Sequence, residues 1–114
     1  MENDQFLASV QTTSHEIKER LDRGEKLFLL DVREPQEFAF ARIEGAHLIP
    51  LGELPNRYNE LNADSEIVVY CHHGVRSLQA AYFLMQMGYT RVKNLVGGID
   101  AWSLQADSEV PRYG

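Results

Sequence analysis

Two short and nearly continuous apolar runs stand out in the pattern of hydrophobic and polar positions. KLFLLDV (residues 26–32) and EIVVYC (residues 66–71) contain few polar residues. Such runs are typical of strands that are buried on both faces, as in a parallel sheet. AHLIPL (residues 46–51) predicts a short strand, and RVKNL (residues 91–95) predicts a weak final strand.

Helical patterns fill the segments between these runs. In TTSHEIKERLDRGEK, Thr13 can cap a helix, Glu16 stands in the capping-box position, and Gly24 is placed to end the helix. EPQEFAFAR has Pro35 where it suits the first turn of a helix. LGELPNRYNEL predicts a further helix, which Pro55 shortens or delays.

Two more helices are predicted after the second apolar run. RSLQAAYFLMQMGY predicts a helix that ends at Gly88. GGIDAWSLQ predicts a turn and a last short helix, whereas the tail ADSEVPRYG has no clear periodicity. Because strands alternate with helices, the sequence predicts an α/β fold with a central, mainly parallel sheet and helices on both faces. The first of these two helices has a predicted apolar face made by Leu78, Ala81, Tyr82 and Met85.

Length and charge narrow the function classes. A chain of 114 residues fits a single domain over residues 1–114. The net charge of −6 disfavours nucleic acid and anionic membrane surfaces as partners. The single cysteine cannot form an internal disulfide, MENDQFLASV lacks the pattern of a signal peptide, and no apolar stretch is long enough to span a bilayer. A cytoplasmic location is therefore expected.

The single cysteine, Cys71, lies where the second apolar run meets a predicted helix. Ligands bind at the C-terminal ends of strands in open parallel sheets, and the start of a helix offers free N–H groups and partial positive charge. Gly74 permits a tight turn that points backbone amides inward as an anion-binding nest. Arg76 adds a permanent cation, and His72 and His73 can be donors or cations. This setting favours a nucleophilic thiolate.

The same residues have simpler interpretations. A cysteine at the end of a buried strand is often only a small core residue, and His72 and His73 can equally be solvent-facing loop residues. The neighbouring glycine and arginine favour a functional site over the structural interpretation. A metal site is disfavoured, because the cysteine and histidines of the loop are adjacent rather than spaced, and His15 and His47 are remote in sequence.

Four motifs in order resemble the rhodanese family of sulfurtransferases, and the resemblance covers almost the whole chain. LLDVREPQEF resembles the first family signature, ARIEGAHLIPL resembles the GHIPGA segment, VVYCHHGVRS resembles the active-site loop, and VGGIDAW resembles the C-terminal signature. The resemblance implies a rhodanese-like three-layer α/β fold with a sheet of about five strands. It also implies that the cysteine takes a sulfane sulfur from a donor such as thiosulfate and passes it to cyanide or a thiol.

Residue by residue, the resemblance assigns the persulfide-forming role to Cys71. No cofactor and no metal are expected. Arg42 and Glu44 depart from the His and Pro of the GHIPGA segment, which leaves the chemistry untouched if that His supports the fold. The tail VPRY resembles rhodanese modules fused to adenylyltransferases, which hints at delivery to a sulfur-carrier or adenylyltransferase protein. The loop would bind the transferred sulfur with His72, His73, Gly74, Val75 and Arg76, and Asp31, Arg33 and Glu37 would support it.

Three alternatives to a sulfurtransferase remain. The first is a phosphatase, but phosphatases of this fold place one more residue between the Cys and the Arg than the four found between Cys71 and Arg76. The second is a non-catalytic regulatory module, which is disfavoured because such modules commonly lack the cysteine. The third is a persulfide carrier that delivers sulfur to partner proteins, and the sequence does not separate this role from an enzyme.

Overall fold

The computed structural model describes residues 8–114. Most of the segment MENDQFLASV, for which the sequence predicts no signal peptide, lies outside the described residues. Within residues 8–114, no helix combines the length and the apolar character that crossing a membrane requires.

A single parallel sheet of five strands forms the centre of the described chain. The strand order is β1-β5-β4-β2-β3, and every neighbouring pair is parallel. The predicted α/β fold with a parallel sheet is therefore confirmed, and the predicted strands are found within slightly narrower bounds. The strands are β1 (Gln11–Thr12), β2 (Phe28–Asp31), β3 (His47–Leu48), β4 (Ile67–Tyr70) and β5 (Val92–Leu95).

Helices connect the strands, as the sequence predicts. Thr13 caps the first helix by accepting a hydrogen bond from the Glu16 amide, while the Glu16 carboxylate accepts from the Thr12 hydroxyl. Two short 3₁₀ turns, Leu51–Glu53 and Tyr58–Glu60, flank the helix that Pro55 shortens. The helices are α1 (Ser14–Asp22), α2 (Pro35–Phe40), α3 (Leu54–Arg57), α4 (Val75–Gln86) and α5 (Gly98–Gln105).

Apolar side chains cover both faces of the sheet and give the fold its three layers. Along β4, Val69 belongs to one core cluster, with residues of α3 and α4, whereas Val68 and Tyr70 belong to the other, with residues of α1 and α5. Successive strand residues point to opposite faces. This arrangement explains why the run in β4 is apolar without alternation, and it confirms helices on both faces.

The structure corrects the sequence analysis of three elements. The buried residues of α4 are Ser77, Ala80, Ala81 and Leu84. Of the predicted apolar face, Ala81 is buried and Met85 packs partly buried against the core, whereas Leu78 and Tyr82 are only half-buried. Small side chains let the helix lie close to the sheet, and the larger ones flank the contact. Strand β5, predicted as weak, lies inside the sheet between β4 and β1. Strand β1 was missed because two residues carry no hydrophobic period.

Candidate active site

Cys71 directly follows β4 and lies under the N-terminus of α4. Its side chain is buried, and its Sγ atom accepts hydrogen bonds from the Gly74 amide at 3.1 Å and the Ser77 amide at 3.4 Å. Gly74 has a φ of +106°, which turns the chain tightly enough to bring these amides onto the sulfur. The first amides of a helix have no acceptor within the helix, so they can stabilise negative charge on the sulfur.

The glycine pair Gly97 and Gly98 at the start of α5 lets this helix contact the backbone of the cysteine loop. The carbonyl oxygens of Cys71 and His72 accept hydrogen bonds from the Ile99 and Asp100 amides at 2.9 and 3.1 Å. Gly98 has a φ of +59°, and a Cβ there would stand 2.4 Å from both carbonyl oxygens. Only glycine therefore allows α5 to approach the cysteine loop this closely, which explains the VGGIDAW motif.

Gly98→Ala is expected to destabilise the protein by about 2–4 kcal/mol, because a left-handed conformation and a backbone clash add together. It should also slow alkylation of Cys71, since the loop must move away from α5. The matched control is Gly88→Ala, since Gly88 has a φ of +96° but open space where its Cβ would stand. That variant should lose only about 1 kcal/mol. Equal losses in urea unfolding of the two variants would show that the close approach does not matter.

Ser77 and Asn94 form a buried polar pair beside the sulfur, and neither residue is among the site residues predicted from the sequence. Ser77 Oγ lies 3.3 Å from Cys71 Sγ, and the Ser77 hydroxyl donates a short hydrogen bond to Asn94 Oδ1. Both side chains are almost fully buried. A serine that directly follows the loop was a signal for Ser77, whereas Asn94 is brought to the site only by the pairing of β4 with β5.

The side chain of Arg76 forms an ion pair with Glu37. Its guanidinium donates to both carboxylate oxygens of Glu37, at 2.8 and 3.1 Å. This pairing lowers the pKa of Glu37 to about 2 and raises the pKa of Arg76. Glu37, predicted to support the scaffold, therefore contacts the loop itself and offsets much of the positive charge that Arg76 would offer to an anion.

Tyr113, in the tail without periodicity, joins the supporting residues to the loop. Its hydroxyl donates to Glu37 at 2.7 Å and accepts from Arg33 at 2.8 Å. Its ring stacks on the His72 ring, with centroids 3.9 Å apart and planes 9° apart. Burial raises the pKa of Tyr113 to about 12, so the hydroxyl keeps its proton at neutral pH. In the sequence, the only indication that this tail matters is the resemblance of VPRY to the tails of rhodanese modules fused to adenylyltransferases.

The two histidines of the loop differ in environment. His72 is half-buried, and its Nε2 lies 2.8 Å from the Tyr113 carbonyl oxygen. Burial, followed by the neighbouring His73, lowers the pKa of His72, so its ring is neutral at neutral pH. His73 is exposed, with its ring centroid 3.9 Å from that of His72, and Val75 is also exposed. The solvent-facing interpretation thus fits His73 and not His72.

Asp31 and Arg33 form a fully buried ion pair behind α2. Arg33 donates to Asp31 through its amide and its guanidinium, with a shortest contact of 2.6 Å, and also donates to the Ala41 carbonyl oxygen at 2.6 Å. Burial opposes the charge on Arg33, but the hydrogen bonds to Asp31 and Tyr113 outweigh it and raise the pKa of Arg33. These contacts fasten β2 to α2 and to the tail that carries Tyr113.

The described residues lack the arrangement of side chains that a metal site requires. No group of three or more His, Cys, Asp or Glu side chains lies close enough together in that range to hold a metal ion.

Comparison with known proteins places this chain among rhodanese-like domains, both by sequence and by structure. The family model of the rhodanese-like domain matches residues 13–105. A rhodanese-related protein from Thermoplasma volcanium has a solved structure that superposes with a TM-score of 0.77 at 32% identity, covering 84% of this chain and 92% of that chain.

Curated relatives carry names from sulfur metabolism. A sulfurtransferase of Allochromatium vinosum is 43% identical over 79% of this chain and 84% of its own length. A putative sulfur carrier protein, YrkF of Bacillus subtilis, is 44% identical over 75% of this chain and 46% of its own length. The adenylyltransferase and sulfurtransferase MOCS3-1 of Zea mays is 36% identical over 92% of this chain. This chain spans only 24% of the maize protein.

Proposed function

Because this chain belongs to the rhodanese-like domain family, we propose that it is a sulfurtransferase that carries a sulfane sulfur as a persulfide on Cys71. The observation that carries the proposal is the contact of Cys71 Sγ with the Gly74 and Ser77 amides at the start of α4. These donors are fixed by the backbone, so they need not reorganise when charge develops on the sulfur.

In the first half-reaction, the Cys71 thiolate attacks the outer sulfur of a donor such as thiosulfate. A bond forms between Cys71 Sγ and that sulfur, and the sulfur–sulfur bond of thiosulfate breaks. The electron pair of the broken bond leaves with sulfite, so no proton and no external oxidant or reductant is needed. The negative charge moves to the outer sulfur of the persulfide, where further amides in the first turn of α4 can stabilise it.

In the second half-reaction, a nucleophile such as cyanide or a thiolate attacks the outer sulfur of the persulfide. The new bond joins that sulfur to the acceptor, and the electron pair of the persulfide bond returns to Cys71 Sγ as the thiolate. His73 and Val75, which are exposed, are available to contact a donor or acceptor at the loop. Arg76 can contribute charge to anion binding only as far as Glu37 leaves it unneutralised.

The relatives support sulfur transfer more strongly than they support a particular donor or acceptor. One relative is named a sulfurtransferase, and another is named a putative sulfur carrier protein. We therefore propose thiosulfate as the donor to test first, and a thiol of a sulfur-carrier or adenylyltransferase-linked protein as an acceptor beside cyanide. A carrier role predicts efficient loading of Cys71 but slow turnover with cyanide.

The loop length disfavours a phosphatase. Four residues separate Cys71 from Arg76, one fewer than phosphatases of this fold place there. A shorter loop leaves less room for a tetrahedral phosphate than for one sulfur atom. The carboxylate of Glu37 already occupies the Arg76 guanidinium, so a phosphate group would have to compete with it for the same donors.

Intact-mass spectrometry tests the proposed function directly. After treatment with thiosulfate and removal of the excess, the chain should gain the mass of one sulfur atom, and cyanide should remove that mass and yield thiocyanate. An aryl phosphate offered in parallel should release no phosphate. An unchanged mass across thiosulfate and organic persulfide donors would overturn the proposal, and phosphate release that depends on Cys71 would favour the phosphatase.

A further inference from the structure

We infer that Asn94 is a positioning residue for Cys71 that acts through the hydroxyl proton of Ser77. This inference rests on the proposed persulfide chemistry and adds a residue from β5 to it. Asn94 does not touch the sulfur. It contacts Ser77, and Ser77 Oγ lies 3.3 Å from Cys71 Sγ. All three side chains are buried, so no bulk water replaces a lost contact among them.

The orientation of the Asn94 amide is determined by its partners. Its Nδ2 group lies 3.3 Å from the Gly74 carbonyl oxygen and 2.8 Å from Gln11 Oε1. A backbone carbonyl can only accept a hydrogen bond. The donor side of Asn94 must therefore face Gly74, and the acceptor, Oδ1, must face the Ser77 hydroxyl.

This orientation fixes where the single proton of the Ser77 hydroxyl lies at rest. The hydroxyl has one proton to give, and Asn94 Oδ1 accepts it in a short hydrogen bond. The lone pairs of Ser77 Oγ are then available to the sulfur. An oxygen lone pair suits a protonated Cys71 thiol, which can donate to it, but it is unfavourable beside a thiolate.

The thiolate therefore has to draw the Ser77 proton away from Asn94. A hydroxyl turned to the sulfur gives the thiolate a third donor beside the Gly74 and Ser77 amides, at the cost of the hydrogen bond to Asn94. In the persulfide, the charge lies on the outer sulfur and Sγ is neutral. The Ser77 proton can then return to Asn94 at no cost to Sγ.

Asn94 thus favours the states in which Sγ carries no charge. It makes the thiolate less stable relative to the persulfide and so favours uptake of sulfur by Cys71. A thiolate with fewer strong donors is also the stronger nucleophile. Removing the Asn94 acceptor should leave the Ser77 proton on the sulfur permanently, giving more thiolate that takes up sulfur less readily.

The test is the pH dependence of alkylation of Cys71 by iodoacetamide, which needs no sulfur donor. Wild type, Ser77→Ala, Asn94→Leu and the double variant form a double-mutant cycle. Asn94→Leu should raise the thiolate-to-thiol ratio at a given pH about tenfold and so lower the midpoint by about one pH unit. Ser77→Ala should raise the midpoint, and the double variant should match Ser77→Ala alone.

The charged groups around the loop are common to all four proteins. They are Arg76 with its partner Glu37, the two loop histidines, and Asp100, which interacts with those histidines. Their effect on the midpoint therefore cancels in the cycle. Asn62→Leu, at an exposed asparagine before β4, is the matched control and should leave the midpoint unchanged. Asn94→Ala removes the same acceptor and replaces Asn94→Leu in the cycle if the leucine variant does not fold.

Two results would overturn the inference. The first is an Asn94→Leu midpoint equal to that of wild type. The second is an equal shift from Asn94→Leu in the presence and absence of the Ser77 hydroxyl, which would mean that Asn94 acts through the loop backbone. Loading with thiosulfate, measured on the same samples, separates this outcome from failure of the proposed function. Wild type that loads sulfur while the midpoints disagree refutes only the role of Asn94.

Discussion

Cys71→Ser should abolish all measurable sulfur transfer. The chain has a single cysteine, so no second thiol can take over the sulfur. A serine hydroxyl is not deprotonated by amide donors at neutral pH, and an oxygen at this position cannot form a persulfide. The measurement is the rate of thiocyanate formation from thiosulfate and cyanide, with intact mass after thiosulfate treatment as a second readout of the loading step.

The serine variant should keep its fold, because the smaller hydroxyl can still accept from the Gly74 and Ser77 amides. Its unfolding transition in urea should therefore resemble that of wild type. Gln79→Ala is a matched variant on α4 with an exposed side chain and should still load one sulfur on Cys71. Sulfur transfer by folded Cys71→Ser would exclude a persulfide on this residue as the intermediate.

Asp31→Ala should produce the largest loss of stability among the variants considered, about 3–5 kcal/mol. The substitution removes the carboxylate that accepts from the Arg33 amide and guanidinium, and it leaves a fully buried cation without its counter-charge. Domains of this size are stable by only about 5–15 kcal/mol. The expected loss is therefore a large part of the free energy of unfolding of the whole domain. Urea unfolding of wild type and variant measures this loss.

Asp22→Ala provides the matched control for this loss. Asp22 also pairs with a cation, Lys18, at 2.7 Å, but both side chains are exposed. Solvent screens such a pair, so its removal should cost less than about 1 kcal/mol. Similar losses for the two variants would show that burial of the Asp31–Arg33 pair does not determine how much the pair contributes to the free energy of unfolding. A stable Asp31→Ala protein would mean that the contacts of Arg33 with Ala41 and Tyr113 suffice.

Local sequence patterns determined the fold class and the position of the reactive residue. The runs that became β2 and β4 are apolar on both sides, with Asp31 as the exception, because both faces of the sheet are covered. Cys71 directly follows a strand and is followed by Gly74 and a helix, an order that favours backbone amides close to the sulfur. These features depend on neighbours within a few residues, so one sequence suffices to predict them.

Tertiary structure alone decided which side chains surround that sulfur. Asn94 reaches Ser77 because β5 pairs with β4. Glu37 reaches Arg76 because β2 pairs with β4, which brings together the segments that follow these two strands. Tyr113 reaches His72 because the tail returns across the loop. Each pair is separated by between 17 and 41 residues in the chain. No local period marks such partners, since hydrogen bonds and ion pairs depend on distances in space. The sequence indicated a permanent cation at Arg76, and the fold supplied the carboxylate that offsets its charge.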